Sequence, residues 1–556
     1  MIRRGQGTTV KDDDLTVRPT AVVVPREPGR IRRTVLRAAR TFLARDRVVL
    51  VVVMGLAAAA RLPGLAGRGR FDGDQGHDML VLLRFTRDGV FPLLGPPTSI
   101  GDFHHGAFYY LLLAPVAAIS NSNPTAVVAF IALMGVAAVG VTWWLARSIG
   151  GPLAGLAAGV LLAVSPAAID ESTFLWNPNP IPLFAALALA AAWRAHTTGH
   201  ARWWVLALGC AGAVFQLHVL GVVFLPPLLV LLALEIRAAA RRGDREAARR
   251  LLGAGAAGIG VIALLFVPLA IHELQTNFAE TQRAIAYFTA GSTAQGLDPL
   301  SRLFFTLFRV VGWPFVGLVT DNLIGASLVV SIGVALAIWR SITARGDEAV
   351  AVRWLGATAA WAVIALSFLA PSLQTVVAGL PNDHYHAFVD PAVIVIIAVA
   401  GVAMAAPASR PQVDVAARSL LVLAAVFVIG LGISRWPPIA DANGGWPAAQ
   451  ASGVRVVETT GTAPVAMVDI PGFKTPDGTT FPILYAGGTV VDDPWSAGFI
   501  VVACDRLFES VFGAACGGPA EDRQMGYLTA DGAHPVPVLV TRFDASRRIA
   551  ISVYRP

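Results

Sequence analysis

Lysine is almost missing from this chain: Lys11 and Lys474 are the only two among 556 residues, so arginine supplies nearly all the positive charge behind a formal net charge of +7. Charged residues of either sign make up 14% of the sequence against 55% hydrophobic, and mean hydropathy is +0.63. That scarcity of charge excludes an ordinary soluble protein and describes a polytopic membrane protein. A pI near 9.7 does not make it a nucleic-acid binder. The arginines cluster beside apolar segments, as the positive-inside rule requires, and not along a groove for phosphates. Three cysteines are too few for a disulfide scaffold. Cys210 lies in an apolar stretch and reads as a small core residue. There is no internal repeat.

What is present is a long series of apolar segments, at 48–60, 106–120, 125–146, 152–169, 178–194, 203–219, 220–236, 251–271, 302–318, 321–339, 354–371, 387–405 and 418–434. A full crossing needs about 20 residues, and tilt or thinning allows roughly 17. The densest basic loop holds Arg237, Arg241, Arg242, Arg245, Arg249 and Arg250, so it belongs in the cytoplasm, with Arg147 and the Arg194–Arg202 loop. Parity then requires 106–120 to lie as an interfacial or re-entrant helix, and 302–318 to rest in the outer interface. The expected fold is a mainly α polytopic bundle of about eleven spans plus interfacial helices. It is expected in the cell membrane as a multi-pass protein with its N-terminus cytoplasmic.

Composition divides the chain into three parts. Residues 1–46 are a basic, mostly disordered cytoplasmic tail, retained ahead of an anchoring first span. Residues 47–435 form the transmembrane domain, with an outer loop at 63–124. From 436 to 556 Gly, Pro and Asp turns separate short strand-like runs at 464–470, 498–503, 536–543 and 548–554, and Ala448–Thr459 suits one amphipathic helix. This part reads as a small extracytoplasmic α/β domain whose last two runs form a hairpin. Outside the cytoplasm, Cys504 and Cys516 are free to pair as a disulfide.

The chain is organised around 71–110, FDGDQGHDMLVLLRFTRDGVFPLLGPPTSIGDFHHGAFYY. Its carboxylates and imidazoles cannot lie in hydrocarbon, so they sit at a membrane surface or line a watery cavity. Asp72 and Asp74 head this group, with Arg70 and Gln75 beside them and His104 and His105 further on. With the topology above, Asp170, Glu171, Asn177, His218, His384 and His386 fall on the same outer side. One-sided enrichment of His and carboxylate suits a catalytic cavity opening outward. Each has a plainer use: Asp170–Glu171 equally suit a helix cap, His218 a backbone contact, and His384 and His386 an interfacial anchor. Adjacent histidines such as His104–His105 cannot easily share one ion, and Asp72–Gly–Asp74 is common in turns, so no metal ligand is assigned.

These residues resemble the GT-C superfamily of membrane glycosyltransferases, in the branch containing protein O-mannosyltransferases and the lipid A aminoarabinose transferase (family 39-like). The resemblance is carried by Arg61 near the end of the first span, then the acidic position at Asp74–Gln75. Gly89 and Pro92 follow, and then the turn and helix start Gly106–Ala107–Phe108–Tyr109–Tyr110. It extends through Ser165–Pro166 and His218 to about residue 400. The family usually has Asp-Glu at Asp74–Gln75, and Lys-Pro or Pro-Pro at His105–Gly106.

The resemblance implies an enzyme that takes a sugar from a polyprenyl-phosphate donor and transfers it to an acceptor hydroxyl on the outer face, with inversion and without a covalent intermediate. Asp74 is then the general base, with Asp72 beside it. Arg70, Gln75, His104, His105, Tyr109, Asp170, Glu171, Asn177, His218, His384 and His386 are candidates for holding substrate. No metal cofactor is obligatory, though Asp72 and Asp74 leave a divalent ion open. The partners implied are the lipid-linked donor, a protein, lipid or glycan acceptor, and membrane lipids, with no nucleic acid. The alternative is a transporter or flippase for an amphiphile, which predicts an inverted repeat and midplane charges that the sequence does not show.

Overall fold

The computed structural model describes residues 41 and 45–556 apart from 99–101, 290–297, 318–322, 371–372, 374–382, 407–410, 473–475 and 531. The basic tail expected over 1–46 lies almost wholly outside the described residues.

The chain enters the bundle on α1 (Asp46–Arg61). Its last residue, Arg61, is fully buried and donates to the carbonyls of Ala163 (2.8 Å) and Leu162 (3.1 Å) and to Ser172 Oγ (3.0 Å). A guanidinium there satisfies carbonyls that a helix C-terminus leaves open. After α2 (Gly73–Asp88), strands β1 (Leu94–Pro97) and β2 (His104–Gly106) pair antiparallel. Helix α3 (Phe108–Ile119) has 12 residues, so it is about 18 Å long against a hydrocarbon core of about 30 Å. It is too short to cross upright.

The next helical element, α4 (Pro124–Ala163), is a hairpin. Gly151, at φ 83° and ψ −176°, breaks the path just before Pro152. A Cβ at Gly155 would lie 2.6 Å from the Arg147 Cβ, and one at Gly159 3.2 Å from the Trp143 Cβ. The arms therefore run back along each other, as the separation of 125–146 from 152–169 requires. There follow α5 (Pro166–Asp170), α6 (Ile181–Thr198), α7 (Arg202–Leu217), α8 (Leu225–Arg241), α9 (Arg245–Leu265), α10 (Val267–Gln275) and α11 (Ala279–Thr289). The bundle closes with α12 (Pro299–Val316), α13 (Leu323–Thr343), α14 (Gly346–Leu369), α15 (Asp390–Ala405) and α16 (Pro411–Ser434). Among the described residues, five helical stretches are long and apolar enough to cross a membrane: 124–163, 219–241, 245–265, 323–343 and 346–369. Phe108–Ile119, Arg202–Leu217, Asp390–Ala405 and Arg418–Ser434 are apolar but shorter. The second half of α12 is buried, against α5, α13 and α14. The architecture is a mainly α polytopic membrane bundle followed by C-terminal strands.

Those strands form a mixed five-stranded sheet. With α17 (Gly445–Thr460), β3 (Val465–Ile470), α18 (Asp477–Tyr485), β4 (Val490–Val491), β5 (Phe499–Asp505), α19 (Pro519–Leu528), β6 (Val538–Asp544) and β7 (Ile549–Arg555), the strand order is β4-β3-β5-β7-β6. β3 runs parallel to β4 and β5, and β7 antiparallel to β5 and β6. Alternation along β5 sends Phe499 and Val501 to one core with Val456 of α17 and Ile483 of α18. It sends Ile500, Val502 and Cys504 to the other, under Ala520 and Met525 of α19. Cys504 and Cys516 are joined as a disulfide.

The sheet region is seated on the loop that follows α1. Asp441 N–H donates to the Gly67 carbonyl (2.7 Å), and Phe71 packs against Trp446 with ring centroids 5.0 Å apart. Trp446 in turn meets Phe481 (5.6 Å) and Tyr485 (5.3 Å) of α18. Backbones approach closely at two glycines: a Cβ at Gly76 would fall 2.2 Å from the Asp477 carbonyl oxygen, and one at Gly478 2.8 Å from the Asp72 carbonyl carbon. No other residue fits at either position without moving α2 off α18.

Candidate active site

Three carboxylates lie within two turns at the start of α2, and the structure gives each a different setting. Asp72 is the N-cap, and Gln75 Oε1 accepts from the Asp72 N–H at 3.2 Å, the reverse arm of a capping box. Its pKa is raised, first by its own burial and then by Asp74. Asp78 is buried and accepts from the Tyr110 hydroxyl at 2.9 Å; burial pushes its pKa up to about 7. Asp74 stands between them in the first turn, exposed, and among the described residues takes no side-chain hydrogen bond. Of the three, Asp74 is the most open to solvent. Gln75 is committed at both ends of its amide, since Nε2 donates to the Leu175 carbonyl at 2.9 Å.

A second assembly draws on three distant loops. The His105 ring lies 5.0 Å from His218, and His218 lies 5.4 Å from His384 and 4.8 Å from Tyr385. Trp176 closes the group at 4.3 Å from His384. Backbone amides set two tautomers: Val219 N–H donates to His105 Nδ1 (3.3 Å) and Leu220 N–H to His218 Nδ1 (3.2 Å). With Nδ1 accepting, the remaining proton of each neutral ring sits on Nε2, leaving a donor. Burial, and then the charge of His104, pushes His105 down to about 3, so that ring is neutral at physiological pH. Gln216, fully buried beside them, has no hydrogen-bond partner for either amide atom among the described residues. Its amide lies where a Cβ on Gly106 would be, 1.8 Å from Oε1. A buried amide without partners, next to two fixed N–H donors, is a site built for something that accepts hydrogen bonds.

Residues 174–177 join the two assemblies. Leu175 takes the Gln75 amide, Phe174 stacks on Trp176 (5.5 Å), and the Arg70 guanidinium lies 4.6 Å over the Phe174 ring. Asn177 Nδ2 donates to the Leu217 carbonyl at 2.6 Å, fixing this segment to the end of α7. Asp170, at the end of α5, is within electrostatic reach of Arg70 and Arg68. Glu171 follows it as the C-cap. Tyr109 is buried, its ring 5.4 Å from Tyr110.

Not every expected residue joins. Alternation along β2 turns His104 away from His105. The His104 N–H and Nδ1 both meet Glu280 Oε2, at 2.7 and 3.0 Å, in a group with Arg283 and His272. His386 is fully buried and paired with Asp390 at 2.9 Å. Among the described residues no group of three or more His, Cys, Asp or Glu is placed to share a metal ion. Sequence reasoning gave no role to Asp477 or Arg548, which meet α2 from the C-terminal sheet; no local signal marks either. It also gave no role to Asp78 or Gln216. For Asp78 the cue was available, since it stands four residues after Asp74, one helical turn on.

Residues 104–242 match the model of the family described as dolichyl-phosphate-mannose-protein mannosyltransferase. In fold the chain is similar to ArnT from Cupriavidus metallidurans in the apo state, at 14% identity over 93% of this chain and 98% of that one, with a TM-score of 0.52. The same protein bound to undecaprenyl phosphate aligns at 14% identity over 94% and 98%, with a TM-score of 0.51. No curated protein matches the sequence. The chain thus has the fold of the GT-C membrane glycosyltransferases that residues 61–110 resemble. The matched segment contains His105, Asn177 and His218, while Asp72 and Asp74 precede it.

Proposed function

We propose that this chain is a glycosyltransferase that moves a sugar from a polyprenyl-phosphate-linked donor to an acceptor hydroxyl on the outer face of the membrane. The observation that carries the reading is the pairing of one exposed carboxylate, Asp74, with a buried neutral donor cluster, His105, His218 and Gln216, joined through 174–177. A lipid-linked donor keeps its tail in the bilayer and brings its phosphate to headgroup depth. Asp74 takes the proton of the acceptor hydroxyl as that oxygen attacks the anomeric carbon. The bond to the lipid phosphate breaks on the opposite side, which inverts the centre. The leaving phosphate gathers negative charge, and the Nε2–H groups of His105 and His218 with the Gln216 amide stabilise it without themselves changing charge. Arg70 adds a cation nearby. Asp72 positions the start of α2. The match to undecaprenyl-phosphate-bound ArnT supports the donor class. The reaction as drawn needs no obligatory metal.

The test is direct. Full-length protein in detergent is supplied with a panel of polyprenyl-phosphate hexoses and pentoses and scored for donor consumption, with and without a chelator. Consumption of one donor, unchanged by chelator, is expected. Vectorial movement of an intact donor in liposomes without consumption would instead support the transporter alternative.

A further inference from the structure

The C-terminal sheet reaches α2 through one side chain in particular. Arg548 stands in the turn between β6 and β7, and its backbone is held on both sides. Its N–H donates to Ser546 Oγ (3.1 Å) and its carbonyl accepts from the Arg506 N–H (2.9 Å). Its guanidinium is oriented by a two-pronged pair with Asp505: Nε to Oδ1 at 2.8 Å and Nη2 to Oδ2 at 2.6 Å. Asp505 is itself fixed, since Oδ1 also takes the Leu507 N–H (3.0 Å). A planar fork held on one edge aims its remaining nitrogen. That nitrogen, Nη1, faces Asp72 Oδ2 at 3.5 Å, across 476 residues of sequence.

Asp72 caps α2, and Asp74 follows two residues later. The charges that face this end are Arg70 from the preceding loop, His77 and Asp78 from α2 itself, Asp477 from α18, and Asp505 and Arg548 from the sheet. Two carboxylates in one turn repel each other and the capped geometry that places them. Asp477 is engaged by His77 Nδ1 at 2.8 Å. Arg548 is therefore the cation that the C-terminal sheet supplies to this end of the helix. If it served the sheet alone, the Asp505 pair would suffice and Nη1 would have no reason to point at α2.

We propose that Arg548 is a positioning residue: through the Asp72 cap it holds the first turn of α2, and with it Asp74, so that sugar transfer depends on the seated C-terminal sheet. The part concerning transfer rests on the proposed function; the part concerning the helix does not.

The experiment uses the full chain in detergent and compares wild type with Arg548→Ala, Arg548→Lys and Arg542→Ala. Arg542 pairs with Asp522 in the same sheet region, and among the described residues no hydrogen bond or ion pair joins its side chain to α2 or to the turn that carries Arg548. Hydrogen exchange of peptides covering 71–80 is read beside peptides of β3 and β5. Arg548→Ala should raise exchange at 71–80 about tenfold with the β3 and β5 peptides unchanged, Arg548→Lys should recover part of the protection, and Arg542→Ala should leave 71–80 as it was. With donor present, Arg548→Ala should lower kcat about five- to tenfold at constant KM. It should also move the acid limb of the pH–rate profile upward, because the guanidinium no longer opposes protonation of Asp72. Unchanged exchange at 71–80 overturns the proposal, as does a rise spread equally over the sheet. A wild type that consumes no donor defeats the proposed function and leaves the exchange comparison to decide the role of Arg548.

Discussion

The acidic end of α2 and the histidine cluster are built in opposite ways. The first is charged and half-exposed, and is held by ion pairs reaching from another part of the chain, Asp72 with Arg548 and His77 with Asp477. The second is buried and held by backbone amides and ring contacts, with its tautomers fixed by Val219 and Leu220. Proton transfer needs a carboxylate that water and an acceptor can reach, and Asp74 supplies it. Stabilising a leaving phosphate needs donors already in place, and a buried neutral ring provides one without the cost of burying a charge. The difference predicts that damage to the first assembly slows the chemical step alone, and damage to the second weakens donor binding and slows the chemical step as well.

The largest expected effect is on turnover. Asp74→Asn keeps the shape and removes the proton acceptor, so kcat should fall by about 10²–10⁴-fold. Next comes His218→Ala, measured as donor affinity: one hydrogen bond to a charged group is worth about 1.5–3 kcal/mol, so Kd should rise roughly 10- to 100-fold. Equal affinity would remove the cluster from the site. Removing the disulfide by Cys504→Ala with Cys516→Ala should lower the stability of the C-terminal sheet by roughly 2–3 kcal/mol in a denaturant titration. An unchanged midpoint would show that the cross-link contributes nothing. Asp72→Asn should cost less turnover than Asp74→Asn, because the amide still caps α2. A loss as large as that of Asp74→Asn, matched by a chelator acting on wild type, would point to a shared metal.

The smallest effect concerns pH. The hydrogen bond to Asp477 raises the His77 pKa above its ordinary 6.5. A contact of this kind stabilises fully below the unfolded value and is lost as the pH rises through the raised folded value. Exchange at the N-terminus of α18 should therefore quicken from near pH 6.5 upward, and His77→Gln should flatten that dependence. A wild-type profile already flat would contradict it.

Much of this was legible in order along the chain. Short strand-like runs between turns marked β3, β5, β6 and β7, the last two as a hairpin, and the two separate cysteines proved to be a pair. Gly151–Pro152 separated two apolar runs that the structure folds into one hairpin. What was hidden depends on contacts without local periodicity. Asp477 meets His77 from 400 residues away, and its helix α18 is short, with Pro482 inside it, so no pattern announced it. Gln75 read as a departure from an acidic pair, yet its amide closes a capping box and reaches Leu175. His104 and His105 both read as candidates for holding substrate, and the strand's alternation divides them between Glu280 and His218.

One measurement tests the division of labour most directly. Donor binding and single-turnover transfer are measured side by side on Asp74→Asn and His218→Ala, in full-length protein with the donor that wild type consumes. The account predicts a crossed result: Asp74→Asn binds donor like wild type and transfers about 10²–10⁴-fold more slowly, while His218→Ala binds more weakly and loses less in the chemical step at saturating donor. Near wild-type transfer by Asp74→Asn would contradict it, and would leave Asp74 as an ordinary residue in the first turn of α2.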